Sequence, residues 1–205
     1  MKRLFLLLFL AVTFTTSSFA QSGRRVSSPA PSQPVAPVQP SLTAEPEARP
    51  APPPMLLFLP EALRDHEIKA LDNTTFRLED FHGKVVVINI WASWCGPCRR
   101  EIPEYEKVRK SYQGKDVEFV GLTTEDPRSA SDKVNRFLRE TPFAFRLGWA
   151  DRELARTLMN GRGAIPQTLV IDGEGRVLNH WSGYSPGQSG SRLKQAIEQA
   201  LKGGS

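Results

Sequence analysis

The sequence predicts an α/β domain in which a mixed β-sheet is covered by helices on both faces. Two runs rich in β-branched residues, 84–90 and 117–123, are nearly continuous, as expected for strands that are buried on both faces. Segments with the spacing of amphipathic helices follow these runs, and a strand–turn–strand pattern before a last helix ends the chain. Strands that alternate with helices and then end in a hairpin predict parallel and antiparallel pairing in one sheet.

The other elements follow in chain order. Residues 75–78 alternate after an Asp72-Asn73 turn and predict a short strand, and residues 96–112 have helical spacing. The last five elements are helices at 131–140 and 151–159, strands at 168–171 and 176–181 around a 172–175 turn, and an amphipathic helix at 193–201.

Length, composition and charge limit the class of protein. With 205 residues, 40% of them hydrophobic, the chain can form one domain with tails and a buried core. The formal net charge of +5 includes Lys2 and Arg3, and the remaining excess of +3 is too small to predict nucleic-acid binding. Two cysteines cannot form the several disulfides of a small secreted scaffold.

Residues 1–20 have the layout of a secretory signal peptide. Lys2 and Arg3 precede an apolar run over residues 4–12, and Ser18 and Ala20 form a small-x-small cleavage site. The run is shorter than the ~20 residues of a membrane span, which favours cleavage over an uncleaved anchor that would tether the protein. We therefore expect export to the periplasm or an equivalent compartment.

Residues 21–55 predict a disordered Pro-rich linker. Ten of the 17 prolines lie between Gln21 and Pro54, and the segment has no aromatic residue that could help to form a core. Two interpretations stay open: a spacer that holds the domain away from a membrane or partner, and an N-terminus without a selected role. The folded domain is predicted at 56–205.

Both cysteines lie in one motif, Trp94-Cys95-Gly96-Pro97-Cys98, which follows the first buried strand and begins a predicted helix. The free N–H groups at a helix N-terminus favour an anion, so they stabilise a thiolate at Cys95, and a thiolate is the attacking species in disulfide exchange. Pro97 suits the first helical turn. Cys98 can face back to Cys95 and resolve a mixed disulfide.

Three other interpretations of the cysteines are weaker. A structural disulfide over so short a loop would stabilise the fold by only about 2 kcal/mol in the chain-entropy model. A zinc site needs about four ligands, and His66, His82 and His180 are scattered, so we expect no metal. A binding module with a vestigial site would not need to keep both thiols.

Residues 84–103, which end in Trp-Cys-Gly-Pro-Cys-Arg-Arg-Glu-Ile-Pro, closely resemble the TlpA-like exported branch of the thioredoxin superfamily. The resemblance covers about residues 56–203. It implies a thioredoxin fold, with a mixed central sheet flanked by helices and an N-terminal strand or hairpin extension. It also implies that Cys95 is the nucleophile and Cys98 the resolving cysteine of a redox-active disulfide.

The resemblance extends to the substrate-binding residues. Pro166 matches the family's cis-proline, whose loop lies beside the cysteines and offers backbone hydrogen bonds to a substrate strand. Ile165 and Pro166 are therefore expected to bind substrate. Trp94, Gly96 and Pro97 border the cysteines and are expected to complete the docking surface.

One position departs from the cytosolic thioredoxins, which keep a buried Asp six residues before the first cysteine. This chain has Asn89 there, and an amide cannot accept a proton in that role. The TlpA-like branch resembles this chain in having Glu101 six residues after Cys95. A partly buried carboxylate could take the proton of Cys98, so Glu101 is the third expected catalytic residue; the alternative is an exposed acid favoured by the helix dipole.

The resemblance implies an exported thiol–disulfide oxidoreductase that reduces protein disulfides, with no cofactor expected. A reductant in an oxidising compartment must be recharged by a partner, and the family suggests a membrane electron-donor protein and, among the substrates, apocytochrome c thiols during cytochrome c maturation. Disulfide oxidation or isomerisation stays open, as does a redox-inactive chaperone or adaptor. A thiol peroxidase is disfavoured because the Pro-x-x-x-Thr-x-x-Cys element is absent before Cys95.

Overall fold

The computed structural model of the chain describes residues 57–203. The predicted signal peptide (1–20) and the Pro-rich linker (21–55) lie outside the described residues, so both stay predictions. No helix within residues 57–203 combines the length and the apolar character that a membrane span requires. The first helix begins at Glu61.

The described part of the chain contains the following elements. The helices are α1 (Glu61–Arg64), α2 (Gly96–Ser111), α3 (Pro127–Glu140), α4 (Arg152–Leu158) and α5 (Ser189–Gly203), with a 3₁₀ helix at Leu78–Phe81. The strands are β1 (Ile68–Lys69), β2 (Thr75–Phe76), β3 (Val85–Trp91), β4 (Val117–Thr123), β5 (Arg146–Trp149), β6 (Gln167–Ile171) and β7 (Val177–Ser182).

The central sheet has the strand order β5-β4-β3-β6-β7 and is mixed, as the sequence predicts. Strand β4 runs parallel to both β3 and β5, whereas β6 is antiparallel to both β3 and β7. Every residue of β3 is buried, because the strand lies between β4 and β6 and both of its faces are covered. The end of this strand at Trp91 is therefore a rigid support for the residues that follow.

Different layers cover the two faces of the sheet. Ile88 and Ile90 of β3 pack in the apolar cluster that contains residues of α1 and α4. Val87 and Trp91 pack in clusters formed with α2, α3 and α5 on the opposite face. Because side chains alternate along a strand, Asn89 also lies on the α2 face, where it is a polar residue in an otherwise apolar row.

An N-terminal hairpin extends the fold, as the family resemblance implies. Strands β1 and β2 pair antiparallel, with Ile68 opposite Phe76. A single bridge between Ala70 and Gly148 attaches this hairpin to β5, the edge strand of the central sheet. The hairpin therefore packs against the edge strand and helps to cover the core.

Several element boundaries differ from the prediction. The strand predicted at 75–78 is only two residues long, because Leu78 begins a 3₁₀ helix in which its side chain is buried. Helix α3 begins four residues earlier than predicted, since the carboxylate of Asp126 accepts the N–H of Arg128 and caps the helix. Helix α5 also begins four residues early, at Ser189. The local sequence pattern predicts neither α1, β1 nor β5; the hairpin of β1 and β2 is implied only by the family resemblance.

Gly148 is a point of close approach between β5 and the N-terminal hairpin. A Cβ atom at this position would lie 2.7 Å from Cγ2 of Ile68 and 3.1 Å from the ring of Phe76, and both side chains are buried. The substitution Gly148→Ala forces these side chains to repack. We expect it to lower the free energy of unfolding by about 1–3 kcal/mol, measured by denaturant titration.

Gly163→Ala is the matched control, because a Cβ atom there meets nothing within 4 Å. We expect this variant to change the free energy of unfolding by less than about 1 kcal/mol. Equal destabilisation by the two substitutions would contradict the close contact at Gly148.

Candidate active site

Cys95 and Cys98 lie at the start of α2 and form a disulfide, with their Cα atoms 5.3 Å apart. Cys95 is the N-cap residue of the helix, and its Sγ accepts the backbone N–H of Cys98 at 3.1 Å. In the reduced protein, this N–H and the helix dipole favour a negatively charged sulfur at Cys95. The local geometry therefore suits a nucleophilic thiolate.

The two cysteines are unequally covered. Cys95 is 3% exposed and Cys98 is fully buried, whereas the neighbouring Trp94 is 71% exposed. Gly96 and Pro97 between the cysteines are also exposed. Trp94, Gly96 and Pro97 therefore form an exposed rim around Cys95, which a molecule that approaches the sulfur has to pass.

The loop that leads from β3 to Cys95 is held by Glu125, which follows the end of β4. The Glu125 carboxylate accepts the backbone N–H of Ser93 at 2.6 Å and the Ser93 hydroxyl at 2.8 Å. No motif in the sequence marks Glu125. A usable signal was its place just after a parallel strand, because the carboxyl ends of parallel strands meet at one edge of a sheet.

Glu101 lies one turn after Cys98 on α2 and is fully buried, so it is not the exposed acid of the alternative interpretation. The Nδ2 atom of Asn89 on β3 donates to its Oε2 at 2.9 Å. Burial raises the pKa of Glu101 from 4.5 to about 7, and the hydrogen bond from Asn89 offsets part of that rise. Desolvation thus dominates, and the carboxyl group titrates near neutral pH.

Two buried acceptor atoms at this position lack a donor. Within residues 57–203, neither Oε1 of Glu101 nor Oδ1 of Asn89 has a hydrogen-bond partner. Buried acceptors without donors are uncommon and costly. A carboxylate without its full set of donors is disfavoured, which agrees with the raised pKa of Glu101.

Further buried polar groups lie between α2 and the sheet, one turn of the helix beyond Glu101. The Tyr105 hydroxyl is 3.2 Å from Oγ1 of Thr168 on β6, and Nε1 of Trp181 on β7 donates to it at 3.2 Å. Because the indole N–H can only donate, the tyrosine hydroxyl accepts it, whereas either hydroxyl of the Tyr105–Thr168 pair can be the donor. These bonds fix α2 to the sheet beneath it.

The structure brings the predicted proline loop to the cysteines. The Ile165–Pro166 peptide bond is cis, and the carbonyl of Pro166 accepts the N–H of Gly183 at 2.8 Å. Ile165 is half-buried and packs against the apolar cluster that contains both cysteines. Residues far apart in the sequence therefore meet in one site.

A groove of about 740 Å³ lies beside this site. Trp94, Trp149, Met159 and Ile165 contribute apolar surface to it, and the groove also has charged residues of both signs along its wall. An extended peptide could lie along such a groove next to the exposed Trp94. Within the described residues, no group of three or more His, Cys, Asp or Glu side chains is arranged to hold a metal ion.

The two cysteines pair at the start of a helix that follows the central strand of a mixed sheet with this strand order. This arrangement defines an enzyme that exchanges thiols and disulfides on a thioredoxin fold. The chain belongs to the Redoxin family, whose model matches residues 53–197. It is a TlpA-like thioredoxin family protein, as its motif predicts.

Similar proteins agree with this assignment. The thiol-disulfide oxidoreductase ResA of Geobacillus thermodenitrificans is 32% identical over 139 residues, which are 67% of this chain and 73% of that protein. The thiol:disulfide interchange protein HelX of Rhodobacter capsulatus is 36% identical over 103 residues, or 49% of this chain and 53% of that protein. A solved thiol:disulfide interchange protein of the thioredoxin family from Chlorobium tepidum is 26% identical, with a TM-score of 0.57 over 66% of this chain and 92% of that chain. The predicted fold and the predicted oxidoreductase activity are confirmed.

The raised pKa of Glu101 makes the stability of the oxidised protein depend on pH. Between pH 4.5 and about 7 the unfolded chain has lost the Glu101 proton while the native protein retains it, so stability falls as pH rises through this range. Glu101→Gln cannot lose a proton and removes this decline. We expect the stability difference between the variant and the natural protein to shift by about 3 kcal/mol in favour of the variant between pH 4 and pH 8.5.

Denaturant titrations of both proteins across this pH range provide the measurement. Glu153→Gln, which changes an exposed carboxylate on α4, is the control for the loss of a surface charge. If the free energies of unfolding of the natural protein and Glu101→Gln differ by the same amount at all pH values, the carboxyl group of Glu101 does not titrate near neutral pH.

Proposed function

We propose that the protein is an exported thiol–disulfide oxidoreductase that reduces disulfide bonds of other proteins. The observation that carries the proposal is the unequal burial of the pair, 3% exposure for Cys95 and none for Cys98, next to the exposed Trp94. Of the two cysteines, only Cys95 retains any exposed surface. This supports Cys95 as the nucleophile and Cys98 as the resolving cysteine.

The reaction transfers two electrons from the dithiol to the substrate. The Cys95 thiolate attacks one substrate sulfur, so the substrate disulfide breaks, a mixed disulfide forms and the first substrate thiol leaves with a proton. The Cys98 thiol then loses its proton and attacks the Cys95 sulfur, which forms the Cys95–Cys98 disulfide and releases the second substrate thiol. The two sulfurs carry both electrons, so we propose no cofactor and no metal.

Glu101 is proposed to accept the proton of Cys98 in the second step. Residues three apart on a helix lie on the same face, so Glu101 and Cys98 point to the same side of α2. A general base works best when its pKa is near the working pH, and burial raises the pKa of Glu101 to about 7. The missing donor at Oε1 of Glu101 supports the same role, because an incompletely solvated carboxylate is disfavoured and its pKa therefore stays near the working pH.

Substrate binding is proposed at the rim and the proline loop. Trp94, Gly96 and Pro97 are exposed around Cys95. Ile165 lies against the cluster that contains the cysteines and precedes the cis Pro166, and an extended substrate segment can pair with the backbone of this loop. Protein disulfides are the expected substrates, since a polypeptide can contact both the rim and the loop.

The proposed compartment and partners rest on the predicted signal peptide and on the family resemblance. The signal peptide predicted at 1–20 supports export to the periplasm or an equivalent space, with cleavage favoured over a retained membrane tether. Because that space is oxidising, the reduced state has to be restored by a donor, for which we propose a membrane electron-donor protein. The TlpA-like resemblance suggests apocytochrome c thiols among the substrates, and thus a role in cytochrome c maturation.

The direction of electron transfer is tested by the equilibrium reduction potential of the Cys95–Cys98 pair. We expect a value near or below about −250 mV, close to that of thioredoxin, because Gly-Pro between the cysteines resembles the reducing members of the superfamily. The measurement equilibrates the purified protein with glutathione or dithiothreitol buffers. A value above about −150 mV would instead identify a disulfide donor.

The roles of the two cysteines are tested by trapping. We expect Cys98→Ser to accumulate a mixed disulfide with a disulfide-containing protein such as insulin, because the resolving thiol is absent. Cys95→Ser is the matched control and should form no such adduct, since Cys98 is fully buried. Mass spectrometry of the non-reduced mixture measures both. Equal trapping by both variants would contradict these roles, and full biological activity of the double serine variant would favour a redox-inactive chaperone.

A further inference from the structure

The side chain of Gln167 holds the segment that precedes the cis-proline. Gln167 is the first residue of β6 and is fully buried. Its Nε2 donates to the carbonyl of Ala164 at 2.7 Å and to the carbonyl of Arg162 at 3.2 Å. Both hydrogens of the amide nitrogen are therefore used to bind one short stretch of backbone.

His180 on the neighbouring strand β7 forms a hydrogen bond with the amide oxygen of Gln167. Its Nε2 lies 2.8 Å from Oε1 of Gln167. The amide nitrogen already faces two carbonyl groups, so the atom next to His180 is the oxygen, and the imidazole must carry its proton on Nε2. Burial and the nearby Arg162 lower the pKa of His180, which favours the neutral ring.

The segment held by these bonds has little support of its own. Residues 161–164 are exposed, and both Gly161 and Gly163 allow the backbone many conformations. The N–H groups of Gly161 and Arg162 are bound to the end of α4. The carbonyl groups of Arg162 and Ala164 accept hydrogen bonds from Gln167. The segment is thus fixed at one end by α4 and at the other by β6.

We propose that Gln167, oriented by His180, is a positioning residue that fixes the 162–166 loop for binding an extended polypeptide substrate. The inference rests on the proposed function, because it concerns the loop in which Ile165 and Pro166 are proposed to bind substrate. Gln167 touches neither the substrate nor the cysteines in this role. It acts through the Ala164 carbonyl, which precedes Ile165 directly.

The test compares two disulfide reagents with the same leaving group. In the full-length Cys98→Ser protein, the reduced Cys95 attacks either DTNB or a synthetic peptide whose cysteine is joined to thionitrobenzoate. In both reactions a mixed disulfide forms on Cys95, the reagent disulfide breaks and the coloured thionitrobenzoate anion leaves. Only the peptide can pair with the loop. The second-order rate constants therefore separate docking from the reactivity of the sulfur, for either direction of physiological electron flow.

Gln167→Glu keeps the size of the side chain and removes both donors. Without these hydrogen bonds the loop is no longer held in position, so we expect the rate constant for the peptide to fall about tenfold. The rate constant for DTNB should change less than twofold. Gln167→Met, of similar length without polar atoms, is a second variant that buries no charge and should show the same selective loss. His180→Ala should lower the peptide rate constant by a smaller factor and add nothing in the Gln167→Met background.

The control is Asn179→Ala, the residue next to His180 on β7. Its side chain binds Gln199 on α5, on the opposite face of the sheet, and both rate constants should stay within twofold of the parent. Equal losses with the two reagents in the Gln167 variants, or an unchanged rate with the peptide, would overturn the positioning role. If the parent Cys98→Ser protein released thionitrobenzoate from neither reagent, Cys95 would not be the nucleophile, and the proposed function would fail first.

Discussion

Helix α2 begins where the central strand ends, and the position of the reactive sulfur depends on that junction. Strand β3 is buried along its whole length, so its end at Trp91 is fixed, and Cys95 follows within a few residues. The Cys95 sulfur caps the helix by accepting the N–H of Cys98. One contact therefore starts the helix and places the sulfur where N–H groups favour a negative charge. Any change that moved the helix start would change the position of this sulfur and its electrostatic environment together.

The same helix also buries a carboxyl group, which costs the fold stability. Val87 and Trp91 show that the α2 face of β3 is otherwise apolar, and an apolar pair in place of Asn89 and Glu101 would leave no acceptor without a donor. An exposed glutamate loses its proton near pH 4 and cannot store one at neutral pH, whereas burial raises the pKa of Glu101 to about 7. Local destabilisation of this kind is expected where a site has a chemical task.

The sequence predicts the parts of the fold that are locally encoded. Strands β3 and β4 are long apolar runs, and the Cys-x-x-Cys motif at a strand–helix junction identifies the site without any distant contact. Strand β5 was missed because Arg-Leu-Gly-Trp is short and contains a glycine, and it becomes a strand only by pairing with β4. The contacts of Glu125 and Gln167 were missed for a similar reason: each side chain binds backbone that no periodic pattern connects to it. The burial of Glu101 also depends on packing against β3, which helical spacing alone does not determine.

The antiparallel direction of β6 is what assembles the site. Because β4 is parallel to β3, the carboxyl ends of both strands lie at one edge of the sheet, and Glu125 can reach the loop before Cys95. Because β6 runs the opposite way, its first residue, Gln167, pairs with Ile90 near the end of β3. The proline loop that precedes β6 therefore arrives at the same edge as the cysteines. In a wholly parallel sheet that loop would lie at the opposite end of the strands. The mixed pairing therefore brings two loops to one sulfur, one on either side. Each loop is held to the sheet by a buried or half-buried polar side chain.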